Sequence, residues 1–260
     1  MKKALRILAL VFAVAMLTLT FTSCQKGPTK NEGKIIFGTN AEFPPFEFVV
    51  KKGGLIGEFD GIDIAIADLI AKDNDMTAEI SNMEFDSLLI ALENGQVDAV
   101  IAGMTVDPER AEKVDFSVPY YQATQVMIVK EDSTIASAAD MAGKKIAVIQ
   151  GYTGETAVKK LGDNYEYTSF KKGTDAIMEL VNGKADVVVI DSATASKYVA
   201  DNEGLKIVTD AKTFGNEEYA IAVKKGNKEL LDMINASLEE LLKDGKIAEL
   251  GDKYSVSDEE

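Results

Sequence analysis

Asn94-Gly95-Gln96-Val97-Asp98-Ala99-Val100-Ile101-Ala102-Gly103 and Asn182-Gly183-Lys184-Ala185-Asp186-Val187-Val188-Val189-Ile190-Asp191 share one layout. In each, a helical pattern stops at Asn-Gly, a turn carries one polar and one small residue, and Asp opens a continuous apolar strand of the kind buried on both faces. Any helix-to-strand joint can take this form, but the elements before the two copies also come in a shared order. The first set has a short β-branched run at 34–38, helical apolar spacing at 62–72 and an extended stretch at 77–83. The second has an extended 144–150, a helical 156–161, an extended 165–170, a helical 174–181 and the apolar strand 186–190. Alternation of this kind predicts an α/β chain with mainly parallel sheets, arranged as two similar Rossmann-like lobes.

Two further extended stretches, 118–129 and 214–223, join modules that are already complete, so the chain is expected to cross between lobes twice. Helical patterns at 229–242 and 247–253 then return to the first lobe. Two crossing strands make a hinge, and ligands of open α/β sheets sit at the carboxyl ends of strands, so the interlobe cleft is the expected site. The expected division is lobe 1 at 34–122 and 220–260, with lobe 2 at 123–219.

Composition narrows the function. The 260 residues are 46% hydrophobic and 27% charged, as in a folded globular protein, and carry a formal net charge of -15, which opposes binding to nucleic acid or to an anionic membrane surface. One Cys and no His exclude an internal disulfide, a His/Cys zinc site and the Ser-His-Asp and Cys-His forms of nucleophilic catalysis. No cofactor is expected, and a monomer is.

The N-terminus reads as an address. Lys2, Lys3 and Arg6 precede an apolar run over 7–17 that continues to Phe21 and ends at Thr22, Ser23 and Cys24. Residues 1–23 are a secretory signal, too short and wrongly flanked for a membrane span. The sequence Phe21-Thr22-Ser23-Cys24 resembles the bacterial lipobox, which implies cleavage before Cys24 and its lipidation; ordinary signal cleavage near Ser23 is the alternative. Residues 24–33 then form a lipidated tether, and the mature chain lies outside the cytoplasmic membrane, held to it through the lipid.

Across 34–254 the motifs accumulate. Gly38-Thr39-Asn40-Ala41-Glu42-Phe43-Pro44-Pro45-Phe46-Glu47-Phe48 is followed by Gly57-Glu58-Phe59-Asp60-Gly61-Ile62-Asp63-Ile64-Ala65 and by Phe85-Asp86-Ser87-Leu88. Ala102-Gly103-Met104-Thr105-Val106-Asp107-Pro108-Glu109-Arg110, Val114-Asp115-Phe116-Ser117-Val118-Pro119-Tyr120-Tyr121 and Gln150-Gly151-Tyr152-Thr153-Gly154 continue the series. Together these resemble the amino-acid-binding proteins of bacterial ABC importers, solute-binding protein family 3. The resemblance implies a type II periplasmic-binding-protein fold that closes on one free L-amino acid and presents it to an ABC permease with its ATPase.

A free amino acid is a zwitterion, so a selective pocket needs a cation or several N–H donors for one end and an anion for the other. Asp107-Pro108 reads as an N-cap and first helical residue, placing Gly103, Met104 and Thr105 at the entry of a helix and Arg110 in its first turn. Amides there, the Thr105 hydroxyl and the planar guanidinium suit a carboxylate. A solvent-facing Arg110 paired with Glu109 or Glu112 is the plainer reading. Asp191, at a strand end, is a candidate for the ammonium group or an ordinary N-cap. The turn Gly151-Tyr152-Thr153-Gly154 offers amides from the second lobe, or is only a tight turn. The resemblance assigns Thr153 to the carboxylate, residues 150–153, including Gln150 and Tyr152, to the ligand, and Phe43 and Phe85 to an aromatic pair that sandwiches its side chain. Asn40 stands where relatives that take cationic or amide side chains carry Asp, and Glu42 is a nearby source of negative charge. The expected ligand is a polar or cationic L-amino acid. The rival reading is a cyclohexadienyl dehydratase on the same fold, with Glu42 and Asp191 in acid-base roles; a sensor module presenting ligand to a separate receptor chain is a third.

Overall fold

The computed structural model describes Thr29 and residues 33–255; Cys24, the signal segment 1–23 and most of the 24–33 tether lie outside the described residues. In chain order the structure begins with β1 (Lys34–Thr39), β2 (Glu42–Phe43), β3 (Glu47–Val49), β4 (Phe59–Asp60), α1 (Ile62–Asp73) and β5 (Thr77–Asn82). Then come α2 (Leu88–Glu93), β6 (Ala99–Val100), α3 (Pro108–Lys113) and β7 (Val114–Phe116). A second group follows: β8 (Tyr121–Lys130), β9 (Ile146–Ile149), α4 (Thr153–Leu161), β10 (Tyr167–Phe170), α5 (Gly173–Val181), β11 (Val187–Asp191), α6 (Ser192–Asp201), β12 (Leu205–Val208) and β13 (Asn216–Tyr219). The chain ends on β14 (Ala222–Lys224), α7 (Lys228–Lys243) and α8 (Lys246–Ser255).

One sheet has the order β5-β1-β6-β14-β7, the other β10-β9-β11-β8-β12, and each forms the centre of a lobe. The two copies of the repeat do the same job in each. Asn94 and Asn182 end α2 and α5. Gly95 and Gly183 take the left-handed conformation, φ 67° and 71°, that turns the chain back toward the sheet. Asp98 then gives its N–H to the Ile36 carbonyl at 2.8 Å while its Oδ2 accepts the Ile36 N–H at 2.9 Å. Asp186 makes the matching pair with Lys145, at 2.9 and 2.8 Å. Each Asp thereby sets the register in which its strand enters beside the first strand of its lobe: Phe37 lies opposite Ala99, and Ile146 opposite Val187.

The sheets are mixed rather than mainly parallel. β8 runs antiparallel to β11 and β12, and β14 antiparallel to β6 and β7. The cause is the double crossing, since a strand that arrives from the other lobe enters the sheet from the opposite end. Between the lobes β8 and β13 pair antiparallel from Tyr121–Tyr219 to Thr124–Asn216, which is the two-strand hinge. A small sheet, β2-β3-β4, lies outside the alternating pattern and carries Phe43. At the C-terminal end α7 and α8 pack on α1. Asn235 of α7 accepts the Val118 N–H at 2.8 Å, fixing the chain just before the hinge.

Removing the Asp98 carboxylate leaves the Ile36 amide without its acceptor inside a buried joint. Asp98→Ala should lower unfolding free energy by about 1–3 kcal/mol, read from urea transitions, and the exposed Asp186 should tolerate the same change better.

Candidate functional site

The strand β6 ends at the turn that makes the first half of the site. Gly103 has φ 51°, and a Cβ there would lie 2.4 Å from Cε1 of Phe43, so only glycine allows the ring to close on the backbone. From this turn Met104 to Val106 run beside β13: Ala220 N–H donates to the Met104 carbonyl at 3.0 Å, and Val106 N–H to the Glu218 carbonyl at 2.9 Å. Thr105 therefore lies across from Tyr219. Asp107 caps α3, its Oδ1 accepting from the amides of Glu109 and Arg110 at 2.9 and 3.1 Å, with Pro108 at the first helical position.

Arg110 does not pair with Glu109 or Glu112. Its Nε contacts Asp107 Oδ2 at 3.0 Å, one terminal nitrogen donates to the Thr105 carbonyl at 2.8 Å, and the other to the Gly151 carbonyl of the second lobe at 2.9 Å. The guanidinium also lies 5.2 Å from the centre of the Phe85 ring. Burial lowers its pKa, opposed by the charges of Asp107, Asp191 and Glu217.

The second lobe supplies Thr153 and Asp191. Gly154 lets α4 approach the sheet closely, for a Cβ there would meet the Val189 carbonyl oxygen at 2.7 Å, and this brings Thr153, the first residue of the helix, to the cleft. Asp191 occupies the N-cap position of α6, yet its side chain caps no helix amide. Its Oδ1 accepts instead from the Tyr219 hydroxyl at 2.6 Å. Burial, reinforced by the negative charge of Glu217, raises Asp191 to about 7, while Tyr219 pulls the other way.

Phe43, Phe85, Gly103, Thr105, Arg110, Tyr152, Thr153 and Asp191 line one small cavity of about 10 Å³. A wide cleft of about 1260 Å³ adjoins it and shares Phe85, Thr105, Arg110 and Thr153, with Met104 and Glu217 in its own wall. The larger opening is the approach, whereas the convergence of charge and aromatic rings is at the smaller one. Between Phe43 and Phe85 stands the Tyr152 ring, its centroid 5.3 and 4.6 Å from theirs. Its hydroxyl donates to Asn40 Oδ1 at 2.8 Å. A ligand side chain entering between the two Phe rings has to displace Tyr152.

Three sequence-based expectations change. Of the four turn amides offered to a carboxylate, the Gly151 N–H donates to Glu155 at 2.8 Å and the Tyr152 N–H to the Ile149 carbonyl at 3.1 Å, which leaves those of Thr153 and Gly154, the first two residues of α4. Glu42 does not line the cavity; it pairs with Lys172 of the other lobe at 2.8 Å, so its charge is already balanced. Gln150 is exposed at the cleft rim, bonded to Asp86 at 2.8 Å. Asn40 lies behind Tyr152, its amide donating to the Met83 carbonyl at 3.0 Å, and Met104 is fully buried.

The hinge strands supply groups that the sequence reading missed. Gln125 of β8 is 2% exposed, its Nε2 reaching Thr153 at 3.0 Å and Glu217 at 3.3 Å. Glu217 of β13 accepts from the hydroxyls of Thr105 and Thr153 at 2.8 and 2.7 Å. A polar residue in the apolar run of β8 was a readable signal for the first.

Two lobes, a two-strand hinge and an Arg and an Asp lining one cavity between them define a two-lobed binding protein. Residues 35–257 match the model for bacterial extracellular solute-binding proteins, family 3, and the chain belongs to that family. It is 35% identical over 254 residues to a probable histidine-binding protein of Neisseria gonorrhoeae, covering 93% of each chain. To the arginine-binding extracellular protein ArtP of Bacillus subtilis (strain 168) it is 34% identical over 254 residues, covering 94% of this chain and 96% of that one. The crystal structure of the substrate binding protein of an amino acid ABC transporter superposes with a TM-score of 0.80 at 42% identity, covering 85% of this chain and 99% of the other. The chain is a binding protein, not an enzyme.

The titration of Asp191 has a sign that can be tested. Unfolded, an Asp carboxyl releases its proton near pH 3.8; folded, Asp191 keeps it to about 7, so folding takes up a proton between those values. Its contribution to stability therefore falls as pH rises through that window and stays low above it. Asp191→Asn should be more stable than wild type at pH 8, with the difference shrinking toward pH 4 in urea titrations. A difference independent of pH would show that the group does not titrate there.

Proposed function

We propose that the protein captures a polar or cationic L-amino acid by closing its two lobes on it, and delivers it to an ABC permease with its ATPase. The observation that carries the reading is that Arg110 of the first lobe and Asp191 of the second line one cavity, with the Thr105 and Thr153 hydroxyls beside them. A guanidinium and a carboxylate facing each other across a hinge suit the two ends of one zwitterion. Ligand then favours closure because its contacts to both lobes exist together only in the closed form. In this reading residues 34–122 and 220–260 move as one body and 123–219 as the other, and the protein works as a monomer. The names of the histidine- and arginine-binding relatives support a basic or polar side chain, and the aromatic faces of Phe43 and Phe85 suit a flat polar group.

Truncating one member of a buried, hydrogen-bonded charge pair costs about 2–5 kcal/mol, roughly 30-fold to several-thousand-fold in affinity. Arg110→Ala and Asp191→Ala should each weaken binding of L-arginine, L-histidine or L-glutamine by that factor in isothermal calorimetry. An Asp191→Ala protein that binds as tightly as wild type would show the ammonium assignment to be wrong.

The protein works outside the cytoplasmic membrane, anchored through lipid on Cys24. Cys24→Ala should move it from the membrane fraction to the soluble one and abolish fatty-acid labelling; unchanged membrane association would refute the anchor.

A further inference from the structure

Oε2 of Glu217 is the meeting point of three side-chain donors drawn from both lobes and from the hinge. Thr105 Oγ1 of the first lobe lies 2.8 Å away, Thr153 Oγ1 of the second 2.7 Å, and Gln125 Nε2 of the partner hinge strand 3.3 Å. Gln125 also donates to the Thr153 oxygen at 3.0 Å, which leaves the single Thr153 proton directed at Glu217. Both threonines line the small cavity with Arg110, and Glu217 lies where the wide cleft reaches them. The charge of Glu217 is felt by Arg110.

These two hydroxyls are the groups that the proposed reading gives to the ligand's α-carboxylate. A hydroxyl has one proton and donates to one acceptor at a time. A ligand carboxylate seated on Thr105 and Thr153 and the carboxylate of Glu217 therefore exclude each other. We propose that Glu217 is an internal competitor for the ligand's α-carboxylate, holding the Thr105 and Thr153 hydroxyls across the cleft until the ligand takes both from it. The inference rests on the amino-acid-binding reading and adds to it a determinant of affinity that belongs to the hinge, not to either lobe. Because the three donors come from separate parts of the chain, the same carboxylate ties the lobes together before exchange and is freed by it. Each binding event thus replaces one carboxylate bridge by another, and the net gain on binding is smaller than the gross strength of the ligand's contacts.

The position of Glu217 fits exchange better than permanent structure. It is only partly buried, at the edge of a cleft of about 1260 Å³ into which its side chain can withdraw. By contrast, the structural carboxylate Asp63 is fully buried.

The test is a double-mutant cycle on the full chain: wild type, Glu217→Ala, Thr153→Val and the double variant, titrated calorimetrically with L-arginine, L-histidine and L-glutamine. Charge-assisted hydrogen bonds are the strong ones, so removing this competitor should tighten binding on the order of 10-fold. In the Thr153→Val background the gain should shrink, since one contested proton is gone. Glu217→Gln, which keeps the shape but not the charge, should give a smaller gain of the same sign. The primary amine left by removing the α-carboxylate of the same ligand should gain nothing from Glu217→Ala. Wild type that binds an amino acid, with Glu217→Ala binding equally or more weakly, overturns the inference and leaves the binding reading intact. Equal gains with and without the Thr153 hydroxyl also overturn it, assigning the effect to charge alone. No binding of any amino acid by wild type or by Glu217→Ala overturns both.

Discussion

The site depends on one buried carboxylate that lines neither the small cavity nor the wide cleft. Asp63, in the first turn of α1, is fully buried; its Oδ2 accepts the Gly103 N–H at 2.7 Å, and the Tyr120 hydroxyl lies 2.9 and 2.8 Å from its two oxygens. Burial raises Asp63 to about 6, and these two donors oppose the rise. Beside it Glu47, also fully buried, has its pKa pushed well up by burial and by the charge of Asp63. The three attachments of Asp63 are the base of the first lobe's helix, the turn at Gly103 that leads to Thr105, and the residue before the hinge strand β8. Shifting that carboxylate moves all three. Its cost in desolvation is offset only because each donor is aimed at it by a separate element.

From that base, the geometry of Arg110 follows by short steps. Asp107 both caps α3 and contacts Nε, and the Thr105 carbonyl takes a second donor, so the guanidinium is oriented by groups from its own segment. A guanidinium has five N–H donors, and these contacts engage one on each nitrogen, leaving two for an anion. Little side-chain entropy is left to lose when a carboxylate arrives, which is what makes a planar fork effective in a closing site. On the opposite wall Asp191 is held by Tyr219, itself part of the hinge strand β13, so the carboxyl group that shares the cavity with Arg110 is positioned by the element that joins the lobes.

The sequence carries much of this and omits one class of fact. The repeated Asn-Gly…Asp layout marks two lobes because each Asp has a local job, the capture of one backbone amide, that any copy must repeat. Asp107-Pro108 and Arg110 are legible for the same reason, since a cap and a first turn are set by neighbours in the chain. Glu217 and Glu218 are not distinguishable in that way. They are adjacent acids on a short strand, and which one reaches the threonines is decided by the pairing of Thr105 opposite Tyr219; a slip of one residue would present Glu218 instead. Tyr152 is similar: its place between Phe43 and Phe85 depends on how the lobes meet, and no spacing within 150–154 encodes that. The parallel-sheet expectation failed because strand direction depends on which lobe the chain comes from.

The contacts between lobes divide by burial, and the division bears on how a ligand controls closure. Lys172–Glu42 and Gln150–Asp86 lie at the exposed rim, where an ion pair or polar contact contributes about 0–1 kcal/mol and is screened by salt. The Arg110 contact to the Gly151 carbonyl is exposed as well, whereas Tyr152 to Asn40 is buried and the two threonines on Glu217 are partly buried. In the proposed reading a bound molecule replaces the buried and partly buried contacts and leaves the rim alone. The rim pairs therefore make the closed arrangement accessible without deciding its population. On that reading the population is decided by the difference between what the ligand gives to Arg110, Asp191 and the threonines and what Tyr152 and Glu217 give up. Selectivity in such a site does not require a tight fit to every atom of the ligand. On the proposed reading it requires a ligand whose two charged ends and side chain outcompete a carboxylate and an aromatic ring that the protein already holds in place.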